Sequence, residues 1–343
     1  MNSSDRTKLP RNEAKQVVTG GFGMLGSNLV SKMAGDGYQV VVIDNDFRGM
    51  KKHALALWDE HGVTDRIRLI EADIREVAMT PDQHPDLDGA GCLIHLADVV
   101  AGIGYVFGNQ YKILHENIEI DRAAFELASA LQVSKLIYAS TACAFNQTKQ
   151  RSLDSRISIK SDLYPAYPES TYGWAKTVGD ISLENLAPDL GIAKTTIFFH
   201  NLIGTPCDFW SEKSQFLPAI SKRAVDVLQE ESPSLTVWGS GKQGRALVPV
   251  PLAVAAIEHA VRNPSRYYHV GPEFCTSVLE VAQLVTRNLG RDYLIEFDTT
   301  KPEGDIGRSV DPDEECKVPG MEISQQDVEA AIGETVKWIS DRS

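Results

Sequence analysis

A doubly wound α/β fold on a parallel sheet is the architecture the sequence predicts. Short β-branched runs alternate with helical stretches from residue 15 to about residue 200, and a glycine-rich turn joins the first run to the first helix. Beyond residue 200 the alternation weakens, proline and glycine accumulate, and segments shorten. Parallel strands need crossover connections, which the intervening helices supply.

The elements follow in order. QVVTG is the first strand, and a helix opens at Met24. YQVVVID is the second strand, with a helix from about Met50; RIRLIEAD is the third. CLIHLA is the fourth, followed by a helix from Ile113 to Ala130. KLIYAS is the fifth, a helix starts at about Ser170, and KTTIFF is the sixth. This divides the chain into a flexible leader (1–14), a first domain over 15–200 to which 247–268 returns, and a smaller mixed α/β domain over 201–343. The stretch NQTKQRSLDSRISIKSDLYPAYPES, 146–170, is too polar for core and too long for a simple connection, so it reads as a functional loop.

The bulk numbers narrow the function classes. A chain of 343 residues that is 43% hydrophobic can bury a sizeable core. A formal net charge of -13 speaks against nucleic acid or an anionic membrane as partner, so an anionic ligand needs local cations. The cysteines, Cys92, Cys143, Cys207, Cys275 and Cys316, form no CxxC pair, which indicates neither a disulfide framework nor a metal site. A reducing, cytoplasmic setting fits them, and the N-terminal stretch lacks the apolar segment of a secretory signal.

TGGFGMLGSNLV carries Gly20, Gly23 and Gly26 with Phe22 and Met24 between strand and helix. A tight turn, close approach to a pyrophosphate and helix packing each exclude a side chain there. Asp44 closes the second strand about twenty residues on, where an acid binds ribose hydroxyls and disfavours a 2′-phosphate. NAD is therefore expected over NADP, with Arg48 the residue that argues the other way. Asp73 and Ile74 border the adenine, or Asp73 is a helix cap; Leu96 and Ala97 end the fourth strand beside the cofactor. In STYGWAK, Tyr172 and Lys176 are four apart on a helix, so an ammonium can favour a phenolate. The same spacing also occurs on surface helices.

Glycine turn, Asp44, LIHLAD, Thr141, Tyr172 and Lys176, in that order, resemble the extended short-chain dehydrogenase/reductase family from about residue 15 onward. The resemblance implies a Rossmann-type domain, an NAD cofactor, and action of Thr141, Tyr172 and Lys176 on a sugar hydroxyl. It also implies substrate contact by Asn201 and an ordering role for Asn117. YASTACAF resembles the GDP-mannose 3,5-epimerase subgroup, which makes Cys143 an acid/base group. LADVVAGIGYV then sets Val100, Gly102 and Ile103 near the sugar, and FHNLIGTPCDFWSEKSQFLP makes Lys213 the second acid/base. Lys222, Arg245 and Arg308 are expected on the substrate, the two arginines at the pyrophosphate.

The implied chemistry is oxidation of a hexose at C4, which acidifies C3 and C5, inversion by deprotonation and reprotonation, and return of the hydride. The substrate class favoured is a GDP-hexose, and a homodimer is the family expectation. Asn146, Gln147, Phe198 and Pro251 depart from the subgroup pattern. The alternatives are a nucleotide-sugar 4-epimerase and a non-catalytic NAD-binding regulatory protein.

Overall fold

The computed structural model describes residues 12–186, 188–311 and 313–343. Its central sheet has seven parallel strands: β1 (Asn12–Thr19), β2 (Gln39–Asp44), β3 (Ile67–Glu71), β4 (Ala90–His95), β5 (Lys135–Thr141), β6 (Ala193–Phe199) and β7 (Tyr267–Val270). Their spatial order is β7-β6-β5-β4-β1-β2-β3. The order reverses between β1 and β4, so a crevice opens at the carboxyl ends of those strands, where open α/β sheets take ligands.

Side chains that alternate along each strand explain why both faces are covered. On one face Val18, Val42, Ile94 and Ile137 pack against helix α1 (Met24–Gly35) through Leu29 and Val30. On the other, Val17, Val41, Leu93 and Tyr138 pack against α2 (Gln110–Leu131) through Ile113, Ile120 and Leu127. Helix α3 (Thr171–Glu184) lies beside α2, and its N-cap Ser170 accepts from the Gly173 N–H. The chain leaves the sheet after β6 and returns through α4 (Val250–Arg262) to lay β7 beside β6, Tyr267 opposite Thr196.

Away from the sheet, Leu217, Ile220, Leu235, Val281, Val328 and Ile332 form a separate core under helices Phe216–Asp226, Val278–Asn288 and Gln325–Ser340. Among the described residues, two-stranded sheets accompany it, such as Ser234–Trp238 with Leu294–Asp298.

Two expectations change. The stretch 146–170 holds a short strand, Arg156–Ile157, parallel to Ser309–Val310, because Ile157 and Ile159 are buried with Phe145 and Phe198. Apolar residues hidden in a polar run anchor it. Of the leader expected over 1–14, residues 1–11 lie outside the described residues, and Asn12 already sits in β1 opposite Ala90 across an irregular register. No helix among the described residues is long and apolar enough to cross a membrane.

Candidate active site

A cavity of about 1040 Å³ follows the carboxyl ends of the strands, walled by the turn after β1, the ends of β2, β4 and β5, the start of α3 and parts of 199–220 and 302–308. That is the upper end of ordinary ligand sites, with room for more than one small ligand.

At the glycine turn, Gly20 has φ +72°, and a Cβ there would stand 2.7 Å from the Ala97 nitrogen. A Cβ on Gly26 would stand 2.1 Å from the Gly20 oxygen. Both glycines are demanded by the protein's own packing. Gly23 differs: its nearest neighbour would be 3.4 Å away, and it caps α1 with no side-chain bond to the free N–H groups. A pyrophosphate fits that open helix end. The Asp44 carboxylate accepts from the N–H of Phe22 at 2.9 Å and of Asp46 at 2.8 Å, which fixes it at the end of β2. Burial pushes its pKa up and those two N–H groups oppose the rise. Its remaining lone pairs suit ribose hydroxyls.

The neighbouring candidates divide. Arg48 turns toward Asp208, with Nη1 4.0 Å from Oδ2, so its charge already has a partner. Asp73 caps the helix Ile74–Met79, accepting from the Arg75 N–H at 2.9 Å, and also binds the Arg75 guanidinium. Phe22 and Ile74 line the cavity while their side chains belong to the core, as do those of the half-buried Leu96 and Ala97. Met24 packs on the cluster of Cys207 and Phe209.

Tyr172 and Thr141 both line the cavity, and the Thr141 hydroxyl accepts from the Cys143 N–H at 3.1 Å. Burial, with Asp98 next, holds the Tyr172 phenol well above its usual pKa. Lys176 is 2% exposed and is not a wall residue: its Nζ lies 2.8 Å from Asp98 Oδ2 and 3.5 Å from Asp121 Oδ1. Asp121 accepts from the Tyr138 hydroxyl at 2.6 Å and lies 3.0 Å from His95 Nε2. Sequence reasoning missed this network. Its one legible sign is the register of Asn117 and Asp121, one turn apart on α2 and both buried. Asn117 pins the chain after β4, its Oδ1 accepting from the Val99 N–H at 2.7 Å.

Cys143 lines the cavity, and Arg308 donates to its Sγ at 3.1 Å. The same guanidinium bonds Asp305 Oδ2 at 2.5 Å and Gln150 Oε1 at 3.2 Å. Arg308 is thus the cation beside the thiol. Glu169, also on the wall, hydrogen-bonds Asp305; burial first, then Asp305, pushes its carboxyl up to about 7. Nothing in the spacing of Glu169 had marked it. Arg245 is committed to backbone, donating to the carbonyls of Gly244 at 2.7 Å, Asp305 at 3.1 Å and Glu303 at 2.7 Å. It straps the segment that carries Asp305.

Val100, Ile103 and Asn201 line the cavity, but two expected lysines do not. The Lys213 ammonium sits 4.4 Å from the Phe47 ring centre and 6.0 Å from that of Tyr105. Its backbone is tied to Gly102, whose N–H donates to the Lys213 carbonyl at 3.3 Å. A Cβ on Gly102 would stand 2.5 Å from the Ser214 oxygen, so that glycine serves loop packing. Lys222 pairs with Asp226 one turn along its helix, on an exposed face.

The NAD dependent epimerase/dehydratase family model matches residues 16–271. GDP-mannose 3,5-epimerase 1 of Oryza sativa subsp. japonica is 25% identical over 304 residues, 88% of this chain and 75% of that protein. GDP-L-fucose synthase of Escherichia coli is 23% identical over 259 residues, 71% of this chain and 79% of the relative. Among solved structures, the Thermotoga maritima UDP-glucose 4-epimerase superposes with TM-score 0.76 at 20% identity, covering 96% of this chain and 99% of the other. A glycine turn with an open helix end, an acid at the end of β2 and Tyr172 beside the crevice accord with these matches: the chain belongs to the NAD dependent epimerase/dehydratase family, as an isomerase of the epimerase type with NAD as its cofactor.

Proposed function

We propose that the protein epimerises a nucleotide sugar, a GDP-hexose, through a 4-keto intermediate, inverting C3, C5 or both. The contact between Arg308 and Cys143, in one cavity with Tyr172 and Thr141, carries this reading. The glycine turn and Asp44 would hold NAD, which would supply the hydride acceptor for C4 and the donor for its return. Tyr172 takes the proton of the C4 hydroxyl, with Thr141 orienting that hydroxyl. The ketone acidifies the neighbouring C–H bonds, and the Cys143 thiolate, facing the Arg308 cation, removes one such proton. Inversion needs a second acid/base group. Lys213, the expected one, lies off the wall, whereas the Glu169 carboxyl lies on it, hydrogen-bonded to the Asp305 that holds Arg308, and titrates near neutrality, as an acid/base group should.

Residues 15–200 with 247–268 hold the dinucleotide in this reading, and 201–343 hold most of the nucleotide sugar. It further makes the protein a cytoplasmic homodimer of carbohydrate biosynthesis; exposed Tyr111 on α2 and Trp174 and Ile181 on α3 support a helix-mediated dimer, which light scattering checks.

Incubation with GDP-hexoses in deuterated water tests the chemistry. Deuterium bound to C3 or C5 of recovered sugar supports the reading. Inversion at C4 without incorporation favours a 4-epimerase, and NAD binding without conversion of any sugar nucleotide favours a regulatory role.

A further inference from the structure

Five groups that ionise share one stretch of the cavity wall: Cys143, Glu169, Arg245, Asp305 and Arg308. Four of them form a row. Arg308 donates to Cys143 Sγ at 3.1 Å and to Asp305 Oδ2 at 2.5 Å, and Asp305 hydrogen-bonds Glu169. A methyl on Gly304 would stand 3.4 Å from Arg245 Nη2 and 3.9 Å from Glu169 Oε2, so the second guanidinium borders the same carboxyl. Arg245 donates to three backbone carbonyls, which are neutral, and its charge is left for the acids beside it. The Asp305 and Arg308 side chains are only 10% and 14% exposed.

Counting charges decides the protonation. Two cations offset two anions, and a third anion in this sheltered cluster would stand uncompensated, which costs more than keeping a proton. The other titratable groups against the cluster leave the count unchanged: burial keeps Tyr172 and Cys275 protonated and His200 uncharged. Arg151, across a neighbouring pocket lined also by Glu169 and Asp305, is exposed to water and screened. We propose that the cluster holds one proton in common, on Glu169 when Cys143 is a thiolate and on Cys143 when Glu169 is ionised. The inference rests on Cys143 and Glu169 as the acid/base pair and says what joins them. Sulfur takes the C–H proton, leaving the electron pair in the enolate, and the Glu169 O–H proton then bonds that carbon. The proton count of the cluster, and its charge, stay constant through inversion.

The test needs no sugar nucleotide. On NAD-loaded protein, alkylation of Cys143 by iodoacetamide is followed against pH, with mass spectrometry locating the adduct so that Cys275 is not counted. The infrared carbonyl band of the protonated Glu169 carboxyl, isolated as the difference from the matching Glu169→Gln protein, is followed in the same way. A shared proton links the two titrations. Whichever group ionises second has its midpoint lowered by about one unit, roughly tenfold in ionised fraction, when its partner is removed by Glu169→Gln or Cys143→Ser. Asp305→Asn, which takes one acid from the count and keeps the shape, lowers both midpoints and serves should a partner variant not fold; Asp305→Glu restores them, which a merely structural role would not require. Midpoints unmoved in both partner variants, or in Asp305→Asn, overturn the proposal. Linked midpoints without deuterium in recovered sugar count against the epimerase reading alone, and deuterium uptake with unlinked midpoints counts against the shared proton alone.

Discussion

The two ends of the cavity are built by different means. At the cofactor end, the turn Gly20–Gly26 and Asp44 come from neighbouring elements, and their polar contacts run to backbone within about twenty-five residues in sequence. At the sugar end, Cys143 meets Arg308 across 165 positions, and Arg308 is delivered by a two-residue strand pairing with Arg156–Ile157. Short-range contacts make the first end a property of a motif. Long-range contacts make the second a property of the fold, so chemistry there can change while the cofactor site persists.

Breaking the sugar end alone gives the largest effect. Cys143→Ala lowers deuterium incorporation at C3 and C5 by about 10²–10⁴-fold, while transient reduction of NAD, read by absorbance, continues. Loss of both together would tie the two ends into one unit and undo the comparison. At the cofactor end, Gly26→Ala drives a methyl into the Gly20 carbonyl and destabilises the fold by about 1–3 kcal/mol, with NAD binding lost on the same preparation; unfolding curves and equilibrium binding measure both. Asp44→Asn keeps shape but loses charge, and weakens NAD by roughly tenfold, about 1.4 kcal/mol.

Glu169 sharpens the comparison through pH. Its pKa rises from 4.5 when unfolded to about 7 when folded, so the folded state binds the extra proton and loses stability as pH climbs through that window. Glu169→Gln is therefore more heat-stable than wild type at pH 8, and the difference disappears toward pH 4; equal melting temperatures at pH 8 contradict the assignment. The smallest effect is expected of Lys213→Ala, whose ammonium rests on Phe47: isotope exchange stays within about twofold of wild type, less than 0.5 kcal/mol.

Much of the sheet was legible because strand and helix periods are local. Burial of four consecutive residues in β2, Val40–Ile43, follows from the run VVVI, and Ser170 signals the start of α3 one residue before it begins. The return of the chain to form β7 could be placed only roughly, since Tyr267–Val270 needs β6 as a neighbour before it is a strand. In the site, Tyr172 and Thr141 were readable from motif and order. Lys176 was readable as a residue but not in its partners, for Asp98 and Asp121 come from two other elements.

By itself the amino-acid sequence determined the parallel sheet, the glycine turn with Asp44, and the presence of a thiol at the end of β5. Tertiary structure decided which charges meet: Arg308 on Cys143, Arg245 on backbone carbonyls, Lys213 on Phe47, Glu169 on Asp305. The reason is range. Backbone geometry and side-chain period act over a few residues, whereas an ionised side chain settles where burial and the nearest opposite charge or aromatic face allow, and those neighbours arrive only when distant segments pack.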